Sequence, residues 1–393
     1  MMVVPGGLLA TCSLPGCGPF LELIGLGQPE ASSEYPQDLS QFFSRGECIE
    51  RPDVRFTAAP ADPDDLSHIY PLGQMTGSHV TPTDHQYYYW ASLDAPLERY
   101  SIHSPADGVI VGIGYQPPDY RIVIEHSCNV YTIWTHLERL AGPMERLHGT
   151  ISSGRPHYER IPVTAGEIIG FDGGTAGFDF SVHDARVILP GFVRPETYAA
   201  EPWKVHTVDS YDVFDEPVRS RLLAKNVRQV EPLGGKIDHD VPGRLIGNWF
   251  AEGTDGYAGA AGPGGYWSTH LAIAPDPIDP RAIIVSMPSF GGHREQVAIG
   301  DLDPHPADVS VATGLVKYEL VGWAYVREST GEHWGASTWA AYDDIVVEVY
   351  TQHVDGTVLF QLLADHRLKF EAFPGLRASA VSGFTSGARI YAR

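Results

Sequence analysis

Residues 104–111 read SPADGVIV, and the interpretation of the fold starts from this short stretch. The pair Asp107-Gly108 suits a tight turn, because glycine accepts a positive φ angle without strain. Val109 and Val111 follow at alternate positions, which places both on one face of a strand. The stretch therefore predicts a turn that leads directly into a strand with one buried face.

The flanking sequence repeats this pattern of short strands and tight turns from about residue 69 to residue 189. Aromatic and β-branched residues dominate the strand-like runs, and Gly or Pro-Asp separates them. Residues 141–160 resemble an inserted loop. The region is predicted to be a β domain with strands at residues 87–90, 100–102, 108–114, 121–125, 130–135 and 167–171.

Composition divides the rest of the chain. Residues 27–68 are rich in Pro, Asp, Glu and Ser, and we predict an extended arm there. Residues 191–235 are predicted to be a linker that contains one helix at 216–230. Short alternating runs return at 236–393, which predicts a second antiparallel β barrel or sandwich. A Gly-x-Trp start at Trp249 and a late Arg resemble lipocalin-like barrels, in which the Trp closes one end.

Charge and hydropathy exclude several functions. The 27 Lys and Arg residues face 49 Asp and Glu residues, so the net charge is −22. That sign argues against nucleic-acid binding and against binding to anionic membranes by bulk attraction. No apolar run reaches the ~18 residues that a membrane-spanning helix needs.

The amino-terminal residues 1–26 could be a signal or lipoprotein leader, because an apolar run lies near their start. Residues 14–17 read LPGC and resemble a bacterial lipobox, in which Cys17 would carry the lipid. We therefore expect a secreted or cell-envelope protein. Cys48 and Cys128 remain outside the leader, and in an exported chain two such thiols often form a disulfide. Two buried free thiols are the alternative.

Four segments with functional significance follow one another in a fixed order. This order resembles that of the lysostaphin-type, or LytM-like, zinc metallopeptidases, over about residues 78–182. The resemblance implies a two-layer β fold of the duplicated-hybrid-motif type, a possible zinc ion and peptidoglycan as the substrate class. The segments read GSHVTPTDH (77–85), SPADGVIV (104–111), IVIEH (122–126) with YTIWTHL (131–137), and VTAGEIIG (163–170) with GTAGFDFSV (174–182).

The resemblance implies metal ligands near the start of the domain. The family holds zinc with a His, an Asp four residues later, and the second His of a final His-x-His motif. Here Asp84 follows His79 by five residues, which is the wrong parity for a regular strand. Pro82 or a bulge could restore convergence, and His85 would share a face with His79 in a regular strand. His79 with either Asp84 or His85 therefore remains possible.

The last motif departs further from the family. Asp179 stands where the family has its second His, and it can still donate an oxygen to zinc. Gly177 stands where the family has a catalytic His, and glycine has no side chain to offer. Ser181 and His183 continue the face of Asp179, so His183 could compensate from two pleats away.

His136 matches the histidine of the family's Tyr-x-His-Leu motif. In a working enzyme it would stabilise a polarised water or a carbonyl oxygen. We expect it to share a strand face with Trp134. Each candidate also has a structural interpretation: a turn cap for His79, a turn acceptor for Asp84, a packed imidazole for His85, an ion pair with Arg186 for Asp179, and an inherited remnant for His136.

These departures favour an exported protein whose degenerate LytM-like domain binds cell-wall peptide or glycan without efficient cleavage. The first alternative is an active zinc metalloendopeptidase that acts on peptidoglycan cross-links with altered ligands. The second is a small-ligand carrier that uses the C-terminal β domain. The sequence contains no phosphate-binding loop, no His-Glu-x-x-His motif and no Gly-x-Ser-x-Gly motif, which argues against those catalytic classes.

Overall fold

The computed structural model describes residues 38–92, 95–96, 98–173, 175–260, 266–335 and 340–393. The predicted leader, Cys17 and the first part of the predicted arm lie outside these residues. The described chain is mainly β, with several antiparallel sheets, as the sequence predicts. Among the described residues, no helix has both the length and the apolar character to cross a membrane.

Two short α-helices and a series of strands form the described fold. The helices are α1 (Leu39–Ser44) and α2 (Val218–Leu223). The strands are β1 (Leu66–Tyr70), β2 (Gln86–Trp90), β3 (Tyr100–His103), β4 (Gly108–Gln116), β5 (Asp119–Glu125), β6 (Val130–Leu137), β7 (Arg139–Leu140), β8 (Ile161–Val163), β9 (Ile168–Asp172), β10 (Gly177–Asp184), β11 (Thr207–Val208), β12 (Gly247–Ala251), β13 (His270–Pro275), β14 (Ile283–Ser286), β15 (Gln296–Ile299), β16 (Leu315–Arg327), β17 (Ile345–Leu363), β18 (Arg367–Pro374) and β19 (Arg389–Ala392).

The first domain contains two antiparallel sheets. The larger sheet has the order β1-β2-β10-β6-β5-β4-β8, with β11 paired to β10, and the smaller sheet has the order β3-β9-β7. Large aromatic side chains from the central strands, including Trp90, Trp134, Phe178 and Phe180, lie in the buried core of this domain. This is the two-layer β domain that the sequence predicts.

The second domain is a closed barrel of β12 to β19, in which each strand pairs with its neighbours in sequence. The structure therefore selects the barrel over the sandwich. Its interior holds a continuous cluster of buried apolar side chains, among them Leu271, Val285 and Phe360. At one end the Arg393 guanidinium lies 4.1 Å from the ring centroid of Trp249, and the Trp249 indole donates to the Leu245 carbonyl at 2.9 Å.

Two segments differ from the sequence prediction. The predicted arm is not extended throughout, because Asp38 caps α1 by accepting from the Ser40 amide at 2.8 Å. The predicted helix at 216–230 forms only over Val218–Leu223. Beyond it the main chain bonds to Ile69 instead: the Ile69 amide donates to the carbonyl of residue 225, and the amide of residue 227 donates to the Ile69 carbonyl. These bonds replace those that a longer helix would need.

Cys48 and Cys128 form a disulfide, with their Cα atoms 4.9 Å apart. This is the pair expected from the sequence. The amide of Cys128 also donates to the Ile49 carbonyl at 2.9 Å. The disulfide therefore joins the segment after α1 to the turn between β5 and β6.

The two domains share an apolar contact. Tyr70 from β1 and Val227 from the linker belong to the same buried cluster as Trp323 and Tyr325 from β16. The Tyr70 and Tyr325 hydroxyls are hydrogen-bonded, and the Tyr325 hydroxyl donates to Asp276 Oδ2 at 2.7 Å. An apolar interface of this kind favours a fixed arrangement of the domains.

Candidate functional site

A bulge near the end of β6 determines which way His136 points. The register jumps from Tyr120 opposite Leu137 to Ile122 opposite Trp134, so two residues of β6 face one of β5. His136 adopts a φ of 64°, in the left-handed region that side chains seldom occupy. Such a conformation at a non-glycine residue costs on the order of 1 kcal/mol and is found at active sites as well as in turns.

The expectation that His136 and Trp134 share a face was wrong. The Trp134 ring packs in the core, 4.6 Å from the ring centroid of Phe180. His136 instead contacts Asp179, which precedes Phe180 on β10 and so points to the opposite face. In a regular strand His136 would share a face with Trp134. The extra residue of the bulge turns the His136 side chain to the opposite face.

Three predicted residues meet on that face. Asp179 Oδ2 lies 3.4 Å from His136 Nε2 and 3.5 Å from His85 Nε2. Asp179 also accepts a hydrogen bond from the Thr135 hydroxyl. On its other side, His136 Nδ1 lies 2.7 Å from Asp119 Oδ2. His136 is therefore held between two carboxylates in a site that is largely buried.

The electrostatics favour an ion pair. Burial acts to lower the pKa of His136, but Asp179 and Asp119 outweigh it and hold that pKa well above its ordinary value. Burial likewise acts to raise the pKa of Asp179, but His85 and His136 hold it below the ordinary value. The two carboxylates therefore favour the imidazolium form of His136, which can donate a proton but cannot accept one.

Asp84 is bound by two residues of the linker. Its Oδ1 accepts from Lys204 Nζ at 2.7 Å, and its Oδ2 accepts from Trp203 Nε1 at 2.9 Å. His85 Nδ1 lies 3.3 Å from the same Oδ1. The side chains of Asp84 and Lys204 are each 7% exposed. Burial acts to raise the pKa of Asp84, but the Lys204 ammonium holds it well below its ordinary value.

This donor set does not fit zinc as it is arranged. Zinc ligands must converge on one point at about 2.0–2.2 Å, with their lone pairs directed at the ion. Both Asp84 oxygens instead accept from N–H donors, one of which is a cation. The His79 ring lies 5.5 Å from the His85 ring, centroid to centroid. Within the described part of the chain, no group of three or more His, Cys, Asp or Glu side chains could hold a metal ion.

Close packing explains the glycine at position 177. Gly177 lies opposite Tyr89 on β2, and a Cβ atom built there would lie 2.0 Å from the Tyr88 carbonyl oxygen. No side chain fits without movement of the β2 backbone. The position where the family has a catalytic histidine is thus closed by the approach of the neighbouring strand.

Ser181 and His183 pair with each other rather than with His136. The Ser181 hydroxyl lies 2.8 Å from His183 Nε2, and His183 Nδ1 lies 3.0 Å from the Trp203 carbonyl oxygen. Burial lowers the pKa of His183 to about 4. His183 is therefore a neutral histidine that fastens β10 to the linker.

Sequence reasoning missed Asp119, Thr135, Trp203 and Lys204. Asp119 could have been found from the β4–β5 hairpin, because it opens the strand that pairs with β6. Thr135 required knowledge of the bulge. Lys204 lies 120 residues from Asp84, and the local signal is a lysine in the otherwise apolar run at 202–205.

A row of rings leads away from this cluster along β2. Ring centroids are separated by 4.9 Å between His85 and Tyr87, 6.2 Å between Tyr87 and Tyr89, and 4.6 Å between Tyr89 and His68. The His68 ring lies 5.0 Å from that of Trp334 of the second domain. Tyr87 and Tyr89 are both partly exposed. We call these five residues the aromatic row.

Solved structures of other proteins are similar to part of this chain. No family model matches the chain, and no curated protein matches it. The structure of Helicobacter pylori Csd3 is similar over 34% of this chain and 32% of its own, with 19% identity and a TM-score of 0.21. The structure of the SpoIIQ–SpoIIIAH pore-forming complex is similar over 43% of this chain and 96% of that chain, with 11% identity and a TM-score of 0.28.

The chain thus spans about a third of the length of Csd3. TM-scores this low carry no argument about function. The LytM-like interpretation therefore depends on the order of the sequence motifs and on the two-layer β architecture.

Proposed function

We propose that this is an exported protein whose first domain binds cell-wall peptide or glycan without cleaving it efficiently. The observation that carries the proposal is the buried contact between Lys204 Nζ and Asp84 Oδ1, at 2.7 Å. It supplies a cation from the protein itself to Asp84, one of the two residues that the family resemblance offers as a zinc ligand beside His79. The disulfide between Cys48 and Cys128 supports export, because such bonds persist in oxidising compartments. Lipid attachment at Cys17 remains part of this proposal.

The chemistry of hydrolysis lacks its usual groups. A zinc peptidase needs an open coordination position and a base that takes the proton of the bound water. The contacts of His136 with Asp119 and Asp179 favour its protonated form, which suits a donor to the developing oxyanion rather than that base. Gly177 has no side chain, so the second histidine of the family, which could act as the base, is missing. Cleavage is accordingly expected to be weak or absent.

Binding remains chemically reasonable at the same place. Tyr87 and Tyr89 are the partly exposed tyrosines of the aromatic row and lie near polar side chains, and such mixed surfaces suit peptide and glycan ligands. The row also runs to the boundary between the domains, where binding sites are common. We therefore assign the part of β2 that carries Tyr87 and Tyr89 as the binding surface.

The test uses purified peptidoglycan, with co-sedimentation for binding and released amino groups for cleavage. We expect the protein to sediment with peptidoglycan, with or without added zinc, and to release no new amino groups. Tyr87→Ala should weaken sedimentation, whereas Tyr350→Ala, a partly exposed tyrosine on β17, should not. If both variants sediment with peptidoglycan equally well, Tyr87 is not part of the binding surface.

An active metalloendopeptidase is the second candidate. The observation that favours it is that two histidines, His85 and His136, each lie within 3.5 Å of Asp179 Oδ2, and all three are zinc-ligand types. Zinc-dependent release of amino groups that is lost in His136→Ala would establish this candidate and overturn the binding proposal.

A further inference from the structure

A cavity of about 410 Å³ lies at the end of the barrel where Arg393 stacks over Trp249. Separate parts of the chain form its wall. Leu362 and Leu363 end β17, and His366 belongs to the turn before β18. Arg244 precedes β12, while Arg194 comes from the linker. The volume is within the range of roughly 300–1,000 Å³ that is typical of small-molecule sites.

The lining is cationic in a chain of net charge −22. Three arginines and a histidine line the cavity, and Asp365 is the one carboxylate among the lining residues described. Arg393 is committed to the fold, because it donates to the Ile246 carbonyl at 2.7 Å and pairs with Asp240. The positive charge that is left to bind a ligand therefore comes from Arg194 and Arg244.

Arg244 is the strongest candidate for anion binding. Its Nη1 donates to the Asp308 carbonyl at 3.0 Å, and no ion pair of Arg244 with a carboxylate is found in the described residues. Arg194 uses its Nε to bond Glu196 Oε1 at 2.8 Å. A guanidinium has five N–H donors, so each arginine keeps donors for a further acceptor. Carboxylates are well matched to that geometry.

The rest of the wall is apolar. Leu362 is buried, Leu363 is partly exposed, and Val311 at the rim is 53% exposed. Covering the exposed Val311 side chain with an apolar group of a ligand removes apolar area from water, which favours binding. The cavity thus combines cationic donors with an aliphatic wall.

We propose that this cavity binds a small organic anion, with a carboxylate at Arg244 and an aliphatic chain against Leu363 and Val311. The site belongs to the second domain and does not depend on the proposed function of the first. It lies at the end of the barrel, where Leu362 and Trp249 of the interior apolar cluster form part of the cavity wall.

The probe is octanoate, and its binding to the full chain is measured by isothermal titration calorimetry. Octylammonium is the matched probe with the same tail and the opposite charge. We expect octanoate to bind and octylammonium not to bind. Arg244→Gln should weaken octanoate binding by roughly tenfold, because a charge-assisted hydrogen bond is lost. Arg389→Gln is the control, since it removes one positive charge from an exposed position on β19.

Val311→Asp is a second variant. Because Val311 is exposed, this substitution should leave the buried core unchanged. It should weaken octanoate binding by placing a carboxylate at the rim. The proposal is overturned if octanoate does not bind at millimolar concentration, or if octylammonium binds equally well. Equal affinity of Arg244→Gln and the wild type would also overturn it, because binding would then lie elsewhere.

Discussion

Lys204 is the residue on which the account of the site depends. Its ammonium group neutralises Asp84 inside the first domain, and Glu201 Oε2 lies 3.3 Å from the same nitrogen. Lys204→Met keeps much of the side-chain length but leaves the Asp84 carboxylate without its cation. Removal of one partner of a buried pair costs about 3–5 kcal/mol. We expect a loss of about 3 kcal/mol in the free energy of unfolding, measured with urea.

Lys369→Met is the control for this prediction. Lys369 is partly exposed on β18, so its loss should change the free energy of unfolding by about 0.5 kcal/mol or less. If Lys204→Met proves as stable as the wild type, the ammonium–carboxylate contact is not an important part of the fold.

His136 gives the site a pH dependence with a definite sign. Its pKa is raised in the folded state, so its contribution to stability is fully present below its unfolded pKa of about 6.5. That contribution is lost as the pH rises through the higher folded pKa. The stability of the wild type relative to His136→Gln should therefore fall as the pH is raised above ~6.5. A stability difference that does not change from pH 6 to pH 9 would contradict the ion pair.

At the scale of elements, the approach of β2 to β10 is a testable constraint. Gly177→Ala introduces a Cβ atom against the Tyr88 carbonyl, so one strand must move. We expect a loss of about 2 kcal/mol or more in the free energy of unfolding. Gly112→Ala on β4 is the matched control, because its Cβ would lie 3.9 Å from the nearest atoms, those of Val123. Similar losses in both variants would mean that the close approach at Gly177 is not the cause.

The strands of the first domain could be predicted because their signals are local. Alternation and glycine turns placed the start of β4 at Gly108 and that of β6 at Val130, as the structure has them. The end of α2 could not be predicted, because Ile69 competes for the main-chain groups beyond it. The direction of His136 could not be predicted either, because the bulge depends on the register between β5 and β6.

At the scale of the whole molecule, the site draws on parts that are distant in sequence. Lys204 comes from the linker, and its nitrogen lies 4.7 Å from the ring centroid of Tyr257 in the segment after β12. Glu295 approaches the first domain closely enough that a Cβ at Gly77 would lie 2.8 Å from its Oε2. Such contacts follow from the packing of two domains, which no local pattern in the sequence encodes.

The buried carboxylate at the domain interface gives a prediction at this scale. Burial raises the pKa of Asp276 to about 6, above the ordinary value, so the folded state favours the protonated form. Its contribution to stability is therefore present at low pH and is lost as the pH rises through about 6. Asp276→Asn should be more stable than the wild type at pH 8, and this advantage should disappear at pH 4. Urea unfolding at both pH values checks this, and an unfavourable effect at pH 8 would contradict it.

The central claim is that Lys204, rather than zinc, balances the charge of Asp84. The most direct measurement is the zinc content of the purified chain after incubation with zinc and removal of excess ion. The account predicts that the wild type retains no stoichiometric zinc and that His85→Ala retains the same small amount. One zinc ion per chain, retained by the wild type and lost in both His85→Ala and Asp84→Asn, would contradict it.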